Sequence, residues 1–467
     1  MRPRPRVGRL RAIAPVALAA ALAAIRPGAA AAQTAVALDS VQAWVLRAHP
    51  LARAADAVEA RGPAALLAAR GAFDPRLQAD YDRKEYLGSE YFQYGDVGLS
   101  WQSTYALKFE AGREWAEGIF LNDERTVPAA GQGYLSVKLD VLQGLITDPA
   151  RTGVARAEVG VERNRAAAEV IRNELLYDAS LRYANWAYAE RQLEVYRLTE
   201  DLIDLRLAQT RGLLAGGDRP AVDTLEAYVA LVNQRLTTQQ AEVDARVAAQ
   251  ELQAIYWPLD PLAAVPADAL SIPLPDFDLD PLANPELVEL SALYRDLDLE
   301  RRLKRQYLLP KFEVGYSVLG DGFELAPTTE KVDDRSFLTR AYKVGASFRY
   351  PLFTRQARGE IELSNLKLAE TGAKLADKRR QIGAKATAYA QAARAYTRQL
   401  DEVDDLRRQA IRLLEAEREL FGLGESTQFL LNSREQSVQK ARLTLAKLRY
   451  ARAKAVLQYR LAVGSWR

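Results

Sequence analysis

The chain has 467 residues, a formal net charge of +3, one histidine, one methionine and no cysteine. The missing cysteines exclude disulfides, thiolate metal sites, a cysteine nucleophile and a lipidated N-terminal cysteine. A single histidine excludes a paired-histidine metal motif. Neither a glycine-rich phosphate loop nor a nucleophile elbow is present, so the sequence reads as a non-enzyme with no cofactor and no metal.

In chain order, the first segment is basic through Arg2, Arg4, Arg6, Arg9 and Arg11. An apolar run from Ala12 to Ile25 follows, then Ala30-Ala31-Ala32. This is the pattern of a secretory signal peptide over 1–32. Those residues hold six arginines and no acid, so the charge of the remainder is −3. A basic excess confined to a leader gives no reason to invoke nucleic acid. No later stretch has the ~18 apolar residues of a membrane helix. If the rest of the chain enters a membrane, it must do so as a closed β-barrel.

A helical segment opens the remainder, and His49 before Pro50 reads as a structural residue at a helix break. A strand over about 75–86 follows, with Leu77, Ala79 and Tyr81 against Gln78, Asp80 and Asp82. Another lies at about 133–142, where Leu135, Val137, Leu139 and Val141 alternate with Ser136, Lys138 and Asp140. Such period-two alternation gives a sheet one apolar and one polar face. Between them, residues 87–132 continue the alternation through Val97, Leu99, Trp101, Tyr105, Leu107 and Phe109. This stretch is either an extra hairpin turning near Ser103-Thr104 or an external loop, and the sequence leaves both open.

Long helices are expected over about 150–214 and 220–256. In the second, Val222, Leu225, Val229, Val232 and Leu236 step at heptad spacing. A Pro-rich linker over 257–284 leads to strands at about 310–319 and 341–350. Phe312, Val314, Tyr316 and Val318 form one apolar face, and Tyr342, Val344, Ala346, Phe348 and Tyr350 another. Helices over about 356–421 and 426–462 finish the chain, the last with heptad positions Leu431, Val438, Ala441, Leu445 and Leu448. Stripes this narrow on helices this long need partner helices along their length.

The order is written twice, over 33–256 and 285–467. A shift of 235 places His49-Pro50-Leu51 on Asn284-Pro285-Glu286 and Tyr81 on Tyr316. A shift of 207 places Arg151 on Arg358, Leu193 on Leu400, and Gly217-Asp218 on Gly424-Glu425. The 28-residue difference is the insertion in the first half.

This order resembles the TolC family of outer-membrane efflux proteins across nearly the whole chain after the leader. Leu309-Pro310 resembles the family's strand entry, Tyr350-Pro351-Leu352-Phe353 its strand-to-helix crossover, and Phe421-Gly422-Leu423-Gly424-Glu425-Ser426-Thr427 its helical turn. The resemblance implies an α+β membrane protein. Its duplicated coiled-coil helices would form a trimeric α-barrel tunnel in the periplasm, and its strands would join a shared transmembrane β-barrel in outer-membrane lipid. It implies passive export in a tripartite efflux or type I secretion system, with a periplasmic adaptor and an inner-membrane transporter as partners.

The family's constriction falls at the helical turns. The resemblance therefore marks Asp218, Arg219, Asp223, Glu425, Ser426, Gln428 and Asn432 as aperture or gate candidates, with Arg434 as a neighbour. Gly217, Pro220 and Gly424 become candidate adaptor contacts, and Pro351 marks the crossover. The chain departs from the family where Phe421 lacks a tyrosine hydroxyl, Ser426 replaces a frequent arginine, and Leu430 and Ser433 replace an inner acidic ring. A periplasmic coiled-coil adaptor or scaffold is the competing reading.

Overall fold

The computed structural model describes residues 35–121, 126–217, 220–260, 263–277, 283–321 and 341–466. The expected leader over 1–32 and the aperture candidates Asp218 and Arg219 lie outside the described residues. Seven α-helices, one short 3-10 turn (Gly71–Phe73) and six strands follow in order among those described. Helices α1 (Leu38–Ala48) and α2 (Pro50–Arg70) precede β1 (Arg76–Tyr86), β2 (Ser89–Gln102), β3 (Leu107–Glu117) and β4 (Gln132–Asp140). Then come α3 (Pro149–Ala215), α4 (Ala221–Gln253), α5 (Pro285–Gln306), β5 (Lys311–Asp321), β6 (Tyr342–Arg349), α6 (Arg355–Gly422) and α7 (Gln428–Val463).

The strands form one antiparallel sheet in the order β1-β2-β3-β4-β5-β6. The insertion is thus a hairpin within the sheet, turning at residues 103–106. Its partners decide this: β2 pairs with β1 from Arg76↔Ser100 to Tyr86↔Ser89, and β3 pairs with β4 from Leu107↔Leu139 to Glu114↔Gln132. The two faces differ in chemistry. One carries Leu77, Leu99, Trp101, Leu135, Tyr316, Tyr342, Val344 and Phe348, all well exposed. The other carries ion pairs between strands, Lys138–Glu110 at 2.7 Å and Lys108 to both Asp140 and Glu313 at 3.2 Å.

At ~1.5 Å per residue, the 67 residues of α3 and 68 of α6 each run about 100 Å. The strand-to-helix turn before α3 is fixed by Asp148, which accepts from the Arg151 amide at 2.8 Å, while Pro149 fits the first helical turn. Helices α2 and α5 brace the sheet-proximal part of α3. Arg172 on α3 reaches Asp56 and Glu59 on α2, each at 2.8 Å, and Arg156 grips Asp296 on α5 through two hydrogen bonds. His49 and Asn284 play one role at the starts of α2 and α5. Each side chain accepts from the amide two residues on, with a proline between them. Partial burial lowers the His49 pKa.

The core lies midway along the helices. Val41, Val45, Leu175, Tyr183, Trp186, Leu193 and Leu252 pack in one cluster, and Ala184, Ala393, Val456 and Leu457 in the next. The described part of the Pro-rich linker, 257–260 and 263–277, packs against the helices as a strap. Leu270 and Ile272 are buried in the second cluster, and Arg452 donates to the Ile272 carbonyl at 3.0 Å. No described helix is long and apolar enough to cross a membrane.

The seam of α4 against α3 is not the large-residue stripe. Ala227, Leu231, Gln234, Thr238, Ala241, Ala245, Ala248 and Leu252 are buried at heptad spacing, and these mostly small residues allow close approach. Val222, Leu225, Val229 and Leu236 stay exposed. In α7 the predicted stripe does face the chain's own core, with Leu431, Val438, Ala441 and Leu445 buried.

Close packing of α2 on α3 depends on Gly62, where an added Cβ would lie 2.9 Å from the Val161 Cα. Gly62→Val is expected to cost about 1–3 kcal/mol by overpacking. A thermal melt followed by circular dichroism checks it; an unchanged midpoint would show that the contact yields freely.

Candidate functional site

The free ends of the two helical hairpins lie at the α3–α4 and α6–α7 turns. Gly217 has φ +83° and Gly424 has φ +80°, the left-handed conformation that glycine adopts without strain. Around Gly424 the helix closes with a paired cap. The Glu425 amide donates to the Leu420 carbonyl at 2.9 Å and the Gly424 amide to that of Phe421 at 3.1 Å. Thr427 then caps α7, its hydroxyl accepting from the Leu430 amide at 3.3 Å. Glu425 makes no side-chain cap for α7 and is exposed.

The polar candidates separate into different environments. Asp223 is half-buried in the first turn of α4. Ser426 is buried and donates its hydroxyl to Glu417, which also accepts from Arg434 at 3.3 Å. Gln428 is buried, and its side-chain nitrogen has no hydrogen-bond partner among the described residues. Asn432 links the hairpins: it donates to Glu226 on α4 at 3.3 Å and accepts from Arg206 on α3. Pro220 immediately precedes α4, and Pro351 lies in the exposed link between β6 and α6.

Arg206, Glu417 and Glu435 are the residues the sequence reading missed. Arg206 lies 2.9 Å from Glu435 with both side chains nearly inaccessible, and Arg418 approaches the other Glu435 oxygen at 3.5 Å. Burial pushes the Arg206 guanidinium pKa down, opposed by Glu435 and Glu226. The available signal was position. Arg206 sits beside Leu207 and Ile203 on the α3 seam, and Glu435 falls between Leu431 and Val438 on the α7 seam. A charge at a seam position needs a partner. Among the described residues no group of three or more metal-ligating side chains occurs.

Two outcomes follow from this geometry. Arg206→Met leaves Glu435 buried with only its weaker partner and should cost on the order of 3 kcal/mol, and Arg206→Met with Glu435→Leu should recover most of it. Thermal melts of the three proteins read this, and an additive double variant would contradict it. Separately, the Ser426 hydroxyl, with help from Arg434, holds the Glu417 carboxyl below the usual range. A depressed carboxyl contributes its stability above the ordinary carboxylate pKa and loses it as pH falls through the lowered one. Hydrogen exchange of the α6–α7 turn, corrected for intrinsic rate, should therefore accelerate on acidification, at higher pH in Ser426→Ala.

No protein-family profile and no curated protein sequence matches the chain. Solved structures do. The Campylobacter jejuni CmeC outer membrane channel aligns with TM-score 0.63 at 12% identity, over 92% of this chain and 85% of that one. The outer membrane protein VceC of Vibrio cholerae aligns with TM-score 0.64 at 14% identity, over 91% and 96%. The open state of the Neisseria gonorrhoeae MtrE outer membrane channel aligns with TM-score 0.65 at 14% identity, over 91% and 88%. The chain therefore has the overall fold of the TolC-like outer-membrane channels.

Proposed function

We propose that this chain is the outer-membrane component of an efflux or type I secretion system and conducts cargo passively through a homotrimeric tunnel. The observation that carries this reading is the two-faced sheet. A contiguous band of exposed leucine, valine, tyrosine, tryptophan and phenylalanine on one face is not a surface that water tolerates. Ion-paired Lys108, Glu110, Lys138, Asp140 and Glu313 on the other suit a wet lumen.

The helices support the same assembly. The α4 stripe Val222, Leu225, Val229 and Leu236, and the α6 stripe Leu406, Leu413 and Leu420, are exposed among the described residues. Joining α4 of one copy to α6 of the next covers both and closes a helical tunnel on a three-fold axis. The two halves act as structural repeats, each supplying one hairpin. The hairpin turns face the periplasmic adaptor through Gly217, Pro220 and Gly424, and an inner-membrane transporter supplies the energy. Asp218 and Glu425, equivalent under the 207 shift, ring the aperture with six carboxylates, with Arg219, Asp223 and Asn432 beside them.

Mass in detergent and single-channel recording in planar bilayers test this together. A trimer with discrete currents is expected, and Asp218→Asn with Glu425→Gln should lower its preference for cations. A monomer soluble without detergent and silent in bilayers would overturn the channel and favour a periplasmic coiled-coil scaffold.

A further inference from the structure

The four strands found in both halves account for only part of this sheet. The hairpin β2–β3 adds two more, and it does not stand above the others as an external loop. A single row crosses all six strands through Leu77, Leu99, Ala111, Leu135, Val318 and Tyr342. The parallel row on the opposite face runs through Arg76, Ser100, Glu110, Ser136, Ser317 and Lys343. The hairpin turn at residues 103–106 lies at the helix-proximal end, level with the exit of β4 toward α3. A short turn at this end is what a membrane barrel uses on its periplasmic side.

The hairpin is also knitted into the wall by side chains. On the polar face the Tyr134 hydroxyl of β4 covers Gly98 of β2 and Gly112 of β3, where added Cβ atoms would meet it at 2.5 and 2.6 Å. It also donates to Asp96 at 3.4 Å. On the apolar face the Trp115 ring covers Gly95 on the facing strand. Aromatic cover of glycines fixes register within a sheet.

The sheet ends in two strands whose outer edges are unpaired among the described residues, β1 with 11 residues and β6 with 8. The even strand number makes β1 and β6 run in opposite senses, so β6 of one copy meets β1 of the next as an antiparallel pair. The polar face of β1 carries Arg76, Asp80, Asp82 and Lys84, and that of β6 carries Lys343 and Arg349. Placing Lys343 opposite Asp82 of the next copy pairs opposite charges at that position and keeps apolar against apolar, with Val344 opposite Tyr81 and Phe348 opposite Leu77, while Arg349 falls opposite Arg76 at the strand ends. That register staggers each chain by about six residues over its six strands. With ~3.3 Å per residue and ~4.8 Å between strands, the tilt is roughly 35°, at the lower end of the range closed barrels adopt.

We infer that β2–β3 is membrane wall, so that the three chains of the assembly proposed above, joined through their β1 and β6 edges, close an eighteen-stranded barrel. Barrel width grows with strand number, so this lumen is about half as wide again as one built from four strands per chain. The inference rests on the membrane reading above.

The absence of cysteine makes each introduced thiol unique. Leu99→Cys and Ala111→Cys on the hairpin, Val137→Cys and Val344→Cys on β4 and β6, and Ser100→Cys on the polar face are labelled with bimane. The full-length secreted trimer is then reconstituted in brominated phosphatidylcholine. Quenching at positions 99 and 111 to the extent seen at 137 and 344, with none at 100, is the expected result. Quenching at 137 and 344 but not at 99 and 111 puts the hairpin outside the bilayer and overturns the inference while leaving the channel intact. No quenching at any position removes the membrane reading itself. Oxidised Asp82→Cys with Lys343→Cys should give covalent dimers and trimers that neither single variant gives. Absence of these bands from pairs of position 343 with 80, 82 and 84, in preparations of trimer mass, overturns the β1–β6 closure.

Discussion

A sheet that ends has two rows of peptide groups without partners, and in hydrocarbon no water supplies them. Most features of this molecule follow from that constraint. The chain folds its helices around a core of its own, yet among the described residues both sheet edges and two helical stripes are left uncovered. These are not independent deficiencies. On the trimeric reading, one repeated contact with a second copy would satisfy the β1 and β6 edges and the α4 and α6 stripes together. Closed symmetry extends this to every copy without leaving a free edge.

The chemistry inside a chain differs from that at its boundaries. Within the chain, α3 is fastened by directional contacts: the Arg156–Asp296 fork, the Arg172 bridge to Asp56 and Glu59, and the strap through Ile272. At the boundaries the helices present leucine and valine at heptad spacing. Such surfaces are non-directional and draw their energy from area removed from water. On the trimeric reading the single chain is organised before assembly, and assembly buries what is left.

How far the sequence revealed this depends on the range of each signal. In Phe312, Val314, Tyr316 and Val318 the apolar face of β5 is readable because a strand repeats every two residues. The long proline-free stretch before Leu214 marks α3 for a similarly local reason. The hairpin was half readable. Val97, Leu99, Trp101, Leu107 and Phe109 alternate as strands do, but alternation is the same in a loop hairpin and in a wall. What decides is the contact of Tyr134 with Gly98 and Gly112, which is 22 to 36 residues away in sequence and leaves no periodic trace. The α4 seam was hidden for another reason. Its buried residues are largely alanine, glutamine and threonine, while the conspicuous valines and leucines point away. At the tip, Arg206 and Glu435 are separated by more than two hundred residues, and only their seam positions set them apart from the many solvated charges.

The placement of that buried pair bears on how an aperture at the tip can change width. A buried ion pair costs desolvation that its attraction barely offsets, so its contribution is mainly to geometry. Here it ties α3 of the first hairpin to α7 of the second, with Asn432 extending the link to Glu226 on α4 and Arg418 extending it to α6. All four long helices of one chain are joined at that level. Splaying one hairpin from the other would strand a carboxylate and a guanidinium away from water, whereas sliding one chain past the next exchanges one apolar contact for another. On the trimeric reading the tip therefore opens between chains, and each chain's pair of hairpins moves as one body.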